Sequence, residues 1–211
     1  MPRVTGLAPD PRQAGYRLVE VDRGRFASLP ADAVVALGLT VGTELSGPLH
    51  ARLQELADIE AAYRAASRAL AARGRARGDL RRRLAQKQHP PQAVEQALAR
   101  LEERGLLDDG RFAVDYAARR ATKGRGPARI VADLLAQGVA RGLAETAVRD
   151  AFAQEGLDPA TTLRAVAARR AAQLAGLDPS VRRRRLLAYL SRRGYRGADL
   201  RQVVDEVERG L

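Results

Sequence analysis

One spacing pattern recurs three times along the chain and limits what it can fold into. In the first copy, Leu80, Leu84 and Gln88 follow one another at intervals of four residues, and Val94 and Leu98 come after them. The spacing returns 50 residues later, and again 56 residues after that, at Ile130, Leu134, Gly138, Ala144 and Val148 and at Leu186, Leu190, Gly194, Leu200 and Val204. Intervals of three and four place residues on one face of a helix. Each copy therefore predicts a long helix, a short basic helix, a tight turn and a third helix.

The predicted fold class is mainly α, with three tandem three-helix modules that resemble helix-turn-helix units in outline. The modules are expected at residues 55–105, 106–155 and 156–211. Their period exceeds that of the common two-helix repeats. We therefore expect separate three-helix modules in an elongated array rather than a continuous solenoid.

Residues 15–50 follow a different pattern, which predicts a small β-rich region. Tyr16–Val21 and Arg25–Leu29 are short runs with aromatic and β-branched residues, and the loop between them ends in Gly24. This arrangement is typical of a β-hairpin whose last loop residue is left-handed. The sequence therefore predicts a hairpin with Gly24 in that conformation.

The rest of the N-terminal region predicts little further structure. A short helix is expected over residues 30–37, and a turn with a third short strand over residues 38–45. A sheet this small is marginal by itself, so we expect it to lean on the helices or to be mobile. Residues 1–14 contain three prolines and no periodicity, and we expect them to be disordered.

Turn and cap residues mark where the predicted helices start and stop. Gly138 and Gly194 stand where a left-handed C-terminal cap is needed. Gln88 stands at the same position of the first copy and predicts a strained or altered turn. Three dipeptides each predict an N-cap followed by proline at the first helical position, namely Gly126-Pro127, Asp158-Pro159 and Asp178-Pro179.

The excess positive charge lies in the helical region. The chain carries 37 Lys+Arg against 25 Asp+Glu, a formal net charge of +12, and all its cations except Lys87 and Lys123 are arginine. The first 50 residues are balanced, whereas the three modules carry +4, +1 and +6. A GC-rich genome favours arginine over lysine, but it does not explain an excess over acids. The charge therefore predicts an acidic partner.

In each module the cations surround the second helix. The candidate binding residues are Arg77, Arg81, Arg82, Arg83 and Lys87 in the first module, Arg119, Arg120, Lys123, Arg125 and Arg129 in the second, and Arg182, Arg183, Arg184, Arg185, Arg192 and Arg193 in the third. The arginine fork matches phosphate and carboxylate groups. Nucleic-acid phosphates and an acidic protein surface both fit these clusters. The alternative is a solvated helix face whose arginine stems cover apolar surface.

Groups for catalysis are scarce. The chain contains no Cys, which excludes a disulfide scaffold, a thiol nucleophile and a zinc site built on cysteine. His50 and His89 are isolated and are expected to be ordinary surface or turn residues, while Asp108-Asp109 is better placed to cap a helix. The segment from Lys123 to Pro127 lacks the Gly-Lys-Ser/Thr ending of a phosphate loop, and no strand precedes it. We therefore expect neither an enzyme nor a cofactor or metal site.

Two further features bear on location. No run of about 18 apolar residues exists, so we expect no membrane span. The N-terminus lacks the basic and then apolar pattern of a secretory signal. These observations predict a cytoplasmic protein.

The second module contains a long composite motif. It runs Gly105-Leu106-Leu107-Asp108-Asp109, Arg111-Phe112-Ala113, Tyr116, Arg119-Arg120, Lys123-Gly124-Arg125-Gly126-Pro127 and Arg129-Ile130. This motif resembles the central signature of the RecX regulatory proteins. The outer modules resemble the first and third modules of the family less specifically, through Leu80, Leu84, Leu98, Leu101 and Glu102 and through Leu186, Leu190, Arg193, Gly194 and Tyr195. The resemblance covers about residues 55–211, and the N-terminal β region resembles that of longer family members.

The resemblance implies a function that composition alone does not show. RecX proteins bind the RecA recombinase and its nucleoprotein filament on DNA, and they suppress strand exchange, ATP hydrolysis and co-protease activity. The resemblance thus implies a non-enzymatic regulator of recombination, DNA repair and the SOS response. Many members also bind single- or double-stranded DNA directly. We expect a monomer. The alternative is a DNA-binding module, architectural or transcriptional, that acts without RecA.

Three positions depart from the family pattern. Lys87-Gln88-His89 stands where the family usually has Lys-Gly-aromatic, Arg125 stands where an aromatic residue is common, and Ala128 replaces a frequent basic residue. The first departure affects the turn of module one, and the other two alter the charge pattern of module two. From the charges of +6 and +1, we expect reversal of Arg182 to Arg185 to weaken partner binding more than reversal of Arg119 and Arg120.

Overall fold

A three-stranded antiparallel sheet forms the N-terminal part of the chain. In the computed structural model, which describes residues 1–210, the strands are β1 (Val4–Pro9), β2 (Tyr16–Val21) and β3 (Gly24–Pro30), in the order β1-β2-β3. The predicted β2–β3 hairpin is confirmed. The short helix α1 (Ala31–Ala36) follows β3, as expected.

The expectation of disorder over residues 1–14 is wrong. β1 pairs with β2 from Val4 opposite Val21 to Pro9 opposite Arg17. Val4 is fully buried, and its N–H donates to the carbonyl oxygen of Thr43 at 2.9 Å. Pro9 ends the strand, where a residue without an N–H is tolerated. The prolines therefore bound a strand rather than exclude one.

Two other details of this region differ from the sequence predictions. No strand is found over residues 38–45, where a single bridge joins Arg3 to Glu44, so β1 supplies the third strand instead. In the hairpin loop, Asp22 and Arg23 have φ angles of 48° and 65°, and Gly24 is already the first residue of β3. A two-residue loop with both φ angles positive matches the right-handed twist of the strands. The left-handed residues are therefore Asp22 and Arg23 rather than Gly24.

Nine helices follow within the described residues and form the three predicted three-helix domains. The first domain consists of α2 (Gly47–Ala72), α3 (Arg77–Gln86) and α4 (Pro91–Glu103), the second of α5 (Asp109–Ala121), α6 (Pro127–Ala136) and α7 (Arg141–Gln154), and the third of α8 (Pro159–Ala172), α9 (Pro179–Arg192) and α10 (Gly197–Arg209). The sequence predicts that the first module starts at residue 55, whereas α2 begins earlier, at Gly47. No helix among residues 1–210 is long and apolar enough to cross a bilayer.

The repeated apolar positions form the cores of these domains. All of the following are nearly or fully inaccessible to solvent: Leu80, Leu84 and Leu98 in the first domain, Ile130, Leu134 and Val148 in the second, and Leu186, Leu190 and Val204 in the third. Burial of one such leucine side chain stabilises the fold by about 1.5–3 kcal/mol. The spacing in the sequence therefore reports the packing directly.

The predicted helix starts are also present. The carboxylates of Asp108, Asp158 and Asp178 accept backbone N–H groups at 2.8–2.9 Å at the starts of α5, α8 and α9. Gly126 caps α6, with Pro127 at its first turn. Each carboxylate satisfies a backbone donor that the helix itself leaves unpaired.

The chain divides into two compact units. One comprises residues 1–74 and 80–107, which hold the sheet, α1, α2, α4 and most of α3. The other comprises residues 75–79 and the chain from Asp108 onward, which hold the start of α3 and the second and third helical domains.

A buried carboxylate fixes the sheet to the helices of the first unit. Glu60 in α2 is only 3% exposed and forms an ion pair with Arg100 in α4. Its other oxygen accepts the hydroxyl of Tyr16 in β2 at 3.1 Å. The Arg100 guanidinium also lies 4.4 Å from the ring centre of Tyr63. The sheet thus leans on the helices, through a charged group whose partners are all supplied by other elements.

Glu60→Ala is expected to lower the free energy of unfolding by about 2–4 kcal/mol, because it leaves the half-buried Arg100 without its counter-ion. Urea denaturation measures this change. Glu103→Ala, on the exposed side of α4, is the matched control and should change the value by less than about 0.5 kcal/mol. Equal stability of the two variants would contradict a structural role for Glu60.

The turn after α3 has the strained conformation that its sequence predicts. Gln88 has a φ angle of 62°, while Gly138 and Gly194 at the equivalent turns have φ angles of 87° and 93°. A side chain in this left-handed region costs about 1 kcal/mol relative to glycine. The first domain therefore keeps the same turn geometry as the other two, at a cost in stability.

Gln88→Gly should raise the free energy of unfolding by about 0.5–1 kcal/mol, because glycine adopts this backbone conformation without strain. Gln96→Gly, at an exposed position inside α4, should lower it by about 1 kcal/mol. Thermal and urea unfolding of both variants check the opposite signs. A loss of stability in Gln88→Gly would show that its side chain contributes more than the strain costs.

Candidate functional site

The second and third helical domains interlock through two turns. Arg193, at the end of α9, donates from Nη1 to the carbonyl oxygens of Lys123 and Gly124, at 3.0 Å each. In the opposite direction, the N–H of Gly126 donates to the carbonyl oxygen of Arg193 at 2.8 Å. The α5–α6 turn and the α9–α10 turn are therefore held together by backbone groups as well as by a charged side chain.

Glycines make this close approach possible. A Cβ on Gly126 would lie 2.8 Å from the carbonyl carbon of Gly194, inside van der Waals contact. A Cβ on Gly194 would collide with the backbone of Arg129. The Lys-Gly-Arg-Gly-Pro segment thus serves the docking of two domains, a role that its sequence does not reveal.

A similar contact joins residues 75–79 to the second domain. A Cβ on Gly78 would lie 2.7 Å from the Cα of Gly138. The N–H of Arg77 donates to the carboxylate of Asp109 at 2.7 Å. Of the predicted Asp108-Asp109 pair, Asp108 caps α5 while Asp109 takes part in this contact. The glycine turns of α6–α7 and α9–α10 each contact the start of a short helix.

Cations from both domains converge beside the docked turns. We call this surface the basic groove, and it consists of Lys123, Arg125, Arg129, Arg169, Arg170, Arg192 and Arg193 around Tyr189. It contains two cavities of about 680 Å³ and about 380 Å³, which share Tyr189 and Arg193. The guanidinium carbons of Arg170 and Arg193 lie 5.0 Å and 4.9 Å from the centre of the Tyr189 ring. Cation–π contact of this kind stabilises both side chains.

Three members of the groove were not among the sequence candidates. Arg169 and Arg170 lie on α8, outside the short basic helices, and Tyr189 on α9 carries no charge. Helical spacing could have placed Tyr189 on this surface, because it lies four residues after Arg185 and three before Arg192 on one face of α9.

The run of four arginines in α9 divides into an ion-paired half and an exposed half. Arg182 forms an ion pair with Glu208 at 2.9 Å, with side chains 12% and 14% exposed, and Arg183 pairs with Asp205. These two arginines hold α9 against α10. Arg184 and Arg185 are exposed and have no carboxylate partner among residues 1–210. Within the run, only this second pair is presented to solvent without a counter-ion.

The remaining candidates occupy varied positions. In the first domain, Arg81 pairs with Glu95 at 2.7 Å, and Arg82, Arg83 and Lys87 lie on the exposed surface in or after α3. In the second, Arg120 lies 5.0 Å from the ring centre of Tyr116, and Arg119 is exposed. The three clusters are thus not equivalent.

The two histidines have ordinary structural settings. His50 lies beside the ring of Phe26, with the ring centres 6.0 Å apart. Burial, reinforced by the charge of Lys87, lowers the pKa of His89.

The architecture is that of a small β domain followed by three tandem three-helix domains, and comparison with known proteins gives the family. Family models for the first, second and third three-helix domains of RecX match residues 62–101, 108–148 and 158–204. The chain belongs to the RecX family of regulatory proteins.

Relatives and solved structures agree with this assignment. The regulatory protein RecX of Halorhodospira halophila is 38% identical over 157 residues, covering 72% of this chain and 93% of its own. The RecX protein of Streptomyces coelicolor is 35% identical over 153 residues, covering 71% and 79%. A crystal structure of a regulatory protein RecX has a TM-score of 0.71 at 19% identity and covers 97% of this chain and 100% of its own. The RecX structure from Lactobacillus salivarius has a TM-score of 0.58 at 18% identity, covering 72% and 97%.

The contact between the two turns buries a tyrosine hydroxyl, which predicts that the free energy of unfolding falls at high pH. The Tyr195 hydroxyl donates to the carbonyl oxygen of Gly124 at 3.4 Å, and burial raises the pKa of Tyr195 to about 12. An unfolded tyrosine titrates near pH 10. The folded state favours the neutral phenol, so this stabilisation is complete below about pH 10 and is lost as the pH rises through about 12.

Tyr195→Phe should therefore flatten the alkaline loss of stability. The free energy of unfolding should fall less between about pH 10 and pH 12 in the variant than in the parent chain, by roughly 1–2 kcal/mol. Urea denaturation at a series of pH values measures both profiles. Parallel profiles would contradict the burial of a neutral phenol at this contact.

Proposed function

We propose that this chain binds the RecA recombinase and its nucleoprotein filament on DNA and inhibits strand exchange, ATP hydrolysis and co-protease activity. The observation that carries the proposal is the basic groove between the docked second and third domains of a RecX-family regulator. A recombinase filament presents DNA phosphates and protein carboxylates side by side. Arginine binds both groups through paired N–H donors.

The charge balance of the groove supports an anionic partner. Seven cations line its two cavities, and one of them, Arg129, pairs with Asp133 at 2.9 Å. Asp158 is the one carboxylate among the lining residues, and it already caps α8. A surface with this excess attracts an acidic partner and weakens its hold as salt rises. Binding rather than catalysis is the proposed mode of action, and no cofactor is required for it.

α9 extends this surface beyond the cavities. Arg185, Tyr189 and Arg192 are spaced by four and three residues, so they lie on one face of the helix. Arg184 adjoins this row and is also exposed. The groove thus continues along the helix as a row of arginines, a shape suited to an extended partner such as a filament.

A sequence-specific DNA-binding role is less well supported. In a helix-turn-helix protein the second helix presents side chains to base edges. The exposed residues of α6 are Arg129 and three alanines, Ala128, Ala132 and Ala136. Alanine offers base edges only a methyl contact, so this helix is poorly equipped to read a sequence. Any direct contact with DNA is therefore proposed to follow the backbone, and the chain is proposed to act as a cytoplasmic monomer.

Charge reversal tests the proposal in strand-exchange and ATPase assays with the recombinase. Arg184→Glu with Arg185→Glu should raise the concentration needed for half inhibition by at least about tenfold, because each charge-assisted contact contributes about 1.5–3 kcal/mol. The matched double reversal of Arg119 and Arg120 should have a smaller effect. Arg182 and Arg183 are left intact because their reversal would break the α9–α10 ion pairs.

Two results would oppose the proposal. The parent chain at saturation could leave both recombinase activities unchanged, which would contradict a role as inhibitor. Alternatively, reversal at Arg119 and Arg120 could equal or exceed reversal at Arg184 and Arg185. That result would place the principal contact away from α9.

A further inference from the structure

The larger cavity of the basic groove combines an apolar floor with a cationic rim. Ala121, Leu157, Ala165 and Val166 supply the floor, and Thr161 and Thr162 supply hydroxyl groups at one side. The rim carries the cations Lys123, Arg169, Arg170 and Arg193. A volume of about 680 Å³ is in the range of pockets that enclose small molecules. The cavity therefore suits a ligand with a flat apolar part and an anionic part.

One side chain on the rim has an unused donor. Arg170 donates from Nη1 to Gln173 at 2.8 Å and lies over the Tyr189 ring. Its Nε is buried and has no hydrogen-bond partner among the described residues. Because this Nε is inaccessible to solvent, it does not reach a ligand in the cavity, and Arg170 contributes its charge and its contact with the Tyr189 ring to the rim.

We propose that this cavity holds one nucleotide unit of single-stranded DNA. The phosphate accepts hydrogen bonds from Arg169 and from the Lys123 ammonium, close to the charge of Arg170, and the base lies against the floor formed by Ala165 and Val166. Single strands present bases that are free to leave a stack, whereas bases within a duplex are not accessible. This inference names the DNA component that the groove recognises. It rests on the proposed function only in that the recombinase filament would supply the single strand.

An acidic protein segment fits the cavity less well. The carboxylate of an Asp or Glu side chain would satisfy the cations of the rim. It is too small to fill a cavity of about 680 Å³, and it would leave the apolar floor in contact with water. A base covers that floor and gains the free energy of its burial. The combination of floor and rim therefore favours a nucleotide.

Filling the floor is the direct test. Ala165 is exposed at the surface of α8, so Ala165→Phe should occupy the cavity without disturbing a core. Ala168→Phe is the matched control, because Ala168 is exposed on the same helix but does not line the cavity. Fluorescence anisotropy with a labelled oligothymidylate, in the absence of recombinase, should show affinity about tenfold lower for Ala165→Phe. The control should stay within about twofold of the parent chain.

Two further arms separate the base from the phosphate. An oligonucleotide of the same length without bases should bind the parent chain and Ala165→Phe equally, because the floor then has nothing to hold. Arg169→Ala should lower the slope of log affinity against log salt by about one, whereas Arg201→Ala, exposed on α10 away from the cavity, should not. Competition by thymidine monophosphate shows whether the free nucleotide is held as well as the strand.

The outcomes distinguish this inference from the proposed function. Unchanged affinity of Ala165→Phe for the oligothymidylate overturns the inference. If that variant keeps its DNA affinity but no longer inhibits the recombinase, the cavity contacts protein, and the inference fails while the proposed function stands. If the variant loses DNA affinity and the parent chain does not inhibit the recombinase, the proposed function fails and the nucleotide site stands.

Discussion

The docking of the α5–α6 turn onto the α9–α10 turn is the contact on which the candidate site depends. Arg193 satisfies two backbone carbonyls of the opposite turn, and Gly126 and Gly194 allow the two backbones to touch. This contact brings Lys123 and Arg193 to one cavity and Arg125 and Arg192 to the other. Backbone groups of a turn that lack partners are costly when buried, so their pairing here also stabilises the domain arrangement. The position of the charges thus follows from the packing of glycines.

Within this arrangement the arginines do two kinds of work. Arg182, Arg183 and Arg193 are consumed by contacts inside the fold, with carboxylates of α10 and with carbonyls of the α5–α6 turn. Arg184 and Arg185 stay exposed and carry their charge to solvent. The structure therefore separates the arginines that stabilise the fold from those left available to the proposed partner. The available arginines are fewer than the net charge suggests.

The sequence predicted the periodic features and missed the pairwise ones. The three-helix repeat, the aspartate caps and the strained turn at Gln88 follow from local spacing and backbone rules, because each depends on residues close in the chain. Strand β1 was missed because its pairing with β2 outweighs its poor local pattern. The Glu60–Arg100 pair and the contribution of Arg169 and Arg170 depend on elements distant in sequence, which spacing alone does not bring together.

Hydrogen–deuterium exchange can establish whether the basic groove faces the recombinase filament, as proposed. Exchange would be compared for the chain alone and for the chain bound to a recombinase filament on single-stranded DNA. Binding through the basic groove should add protection mainly at residues 122–130 and in the second half of α9. Protection confined to the N-terminal sheet, with exchange at these two segments unchanged, would contradict it.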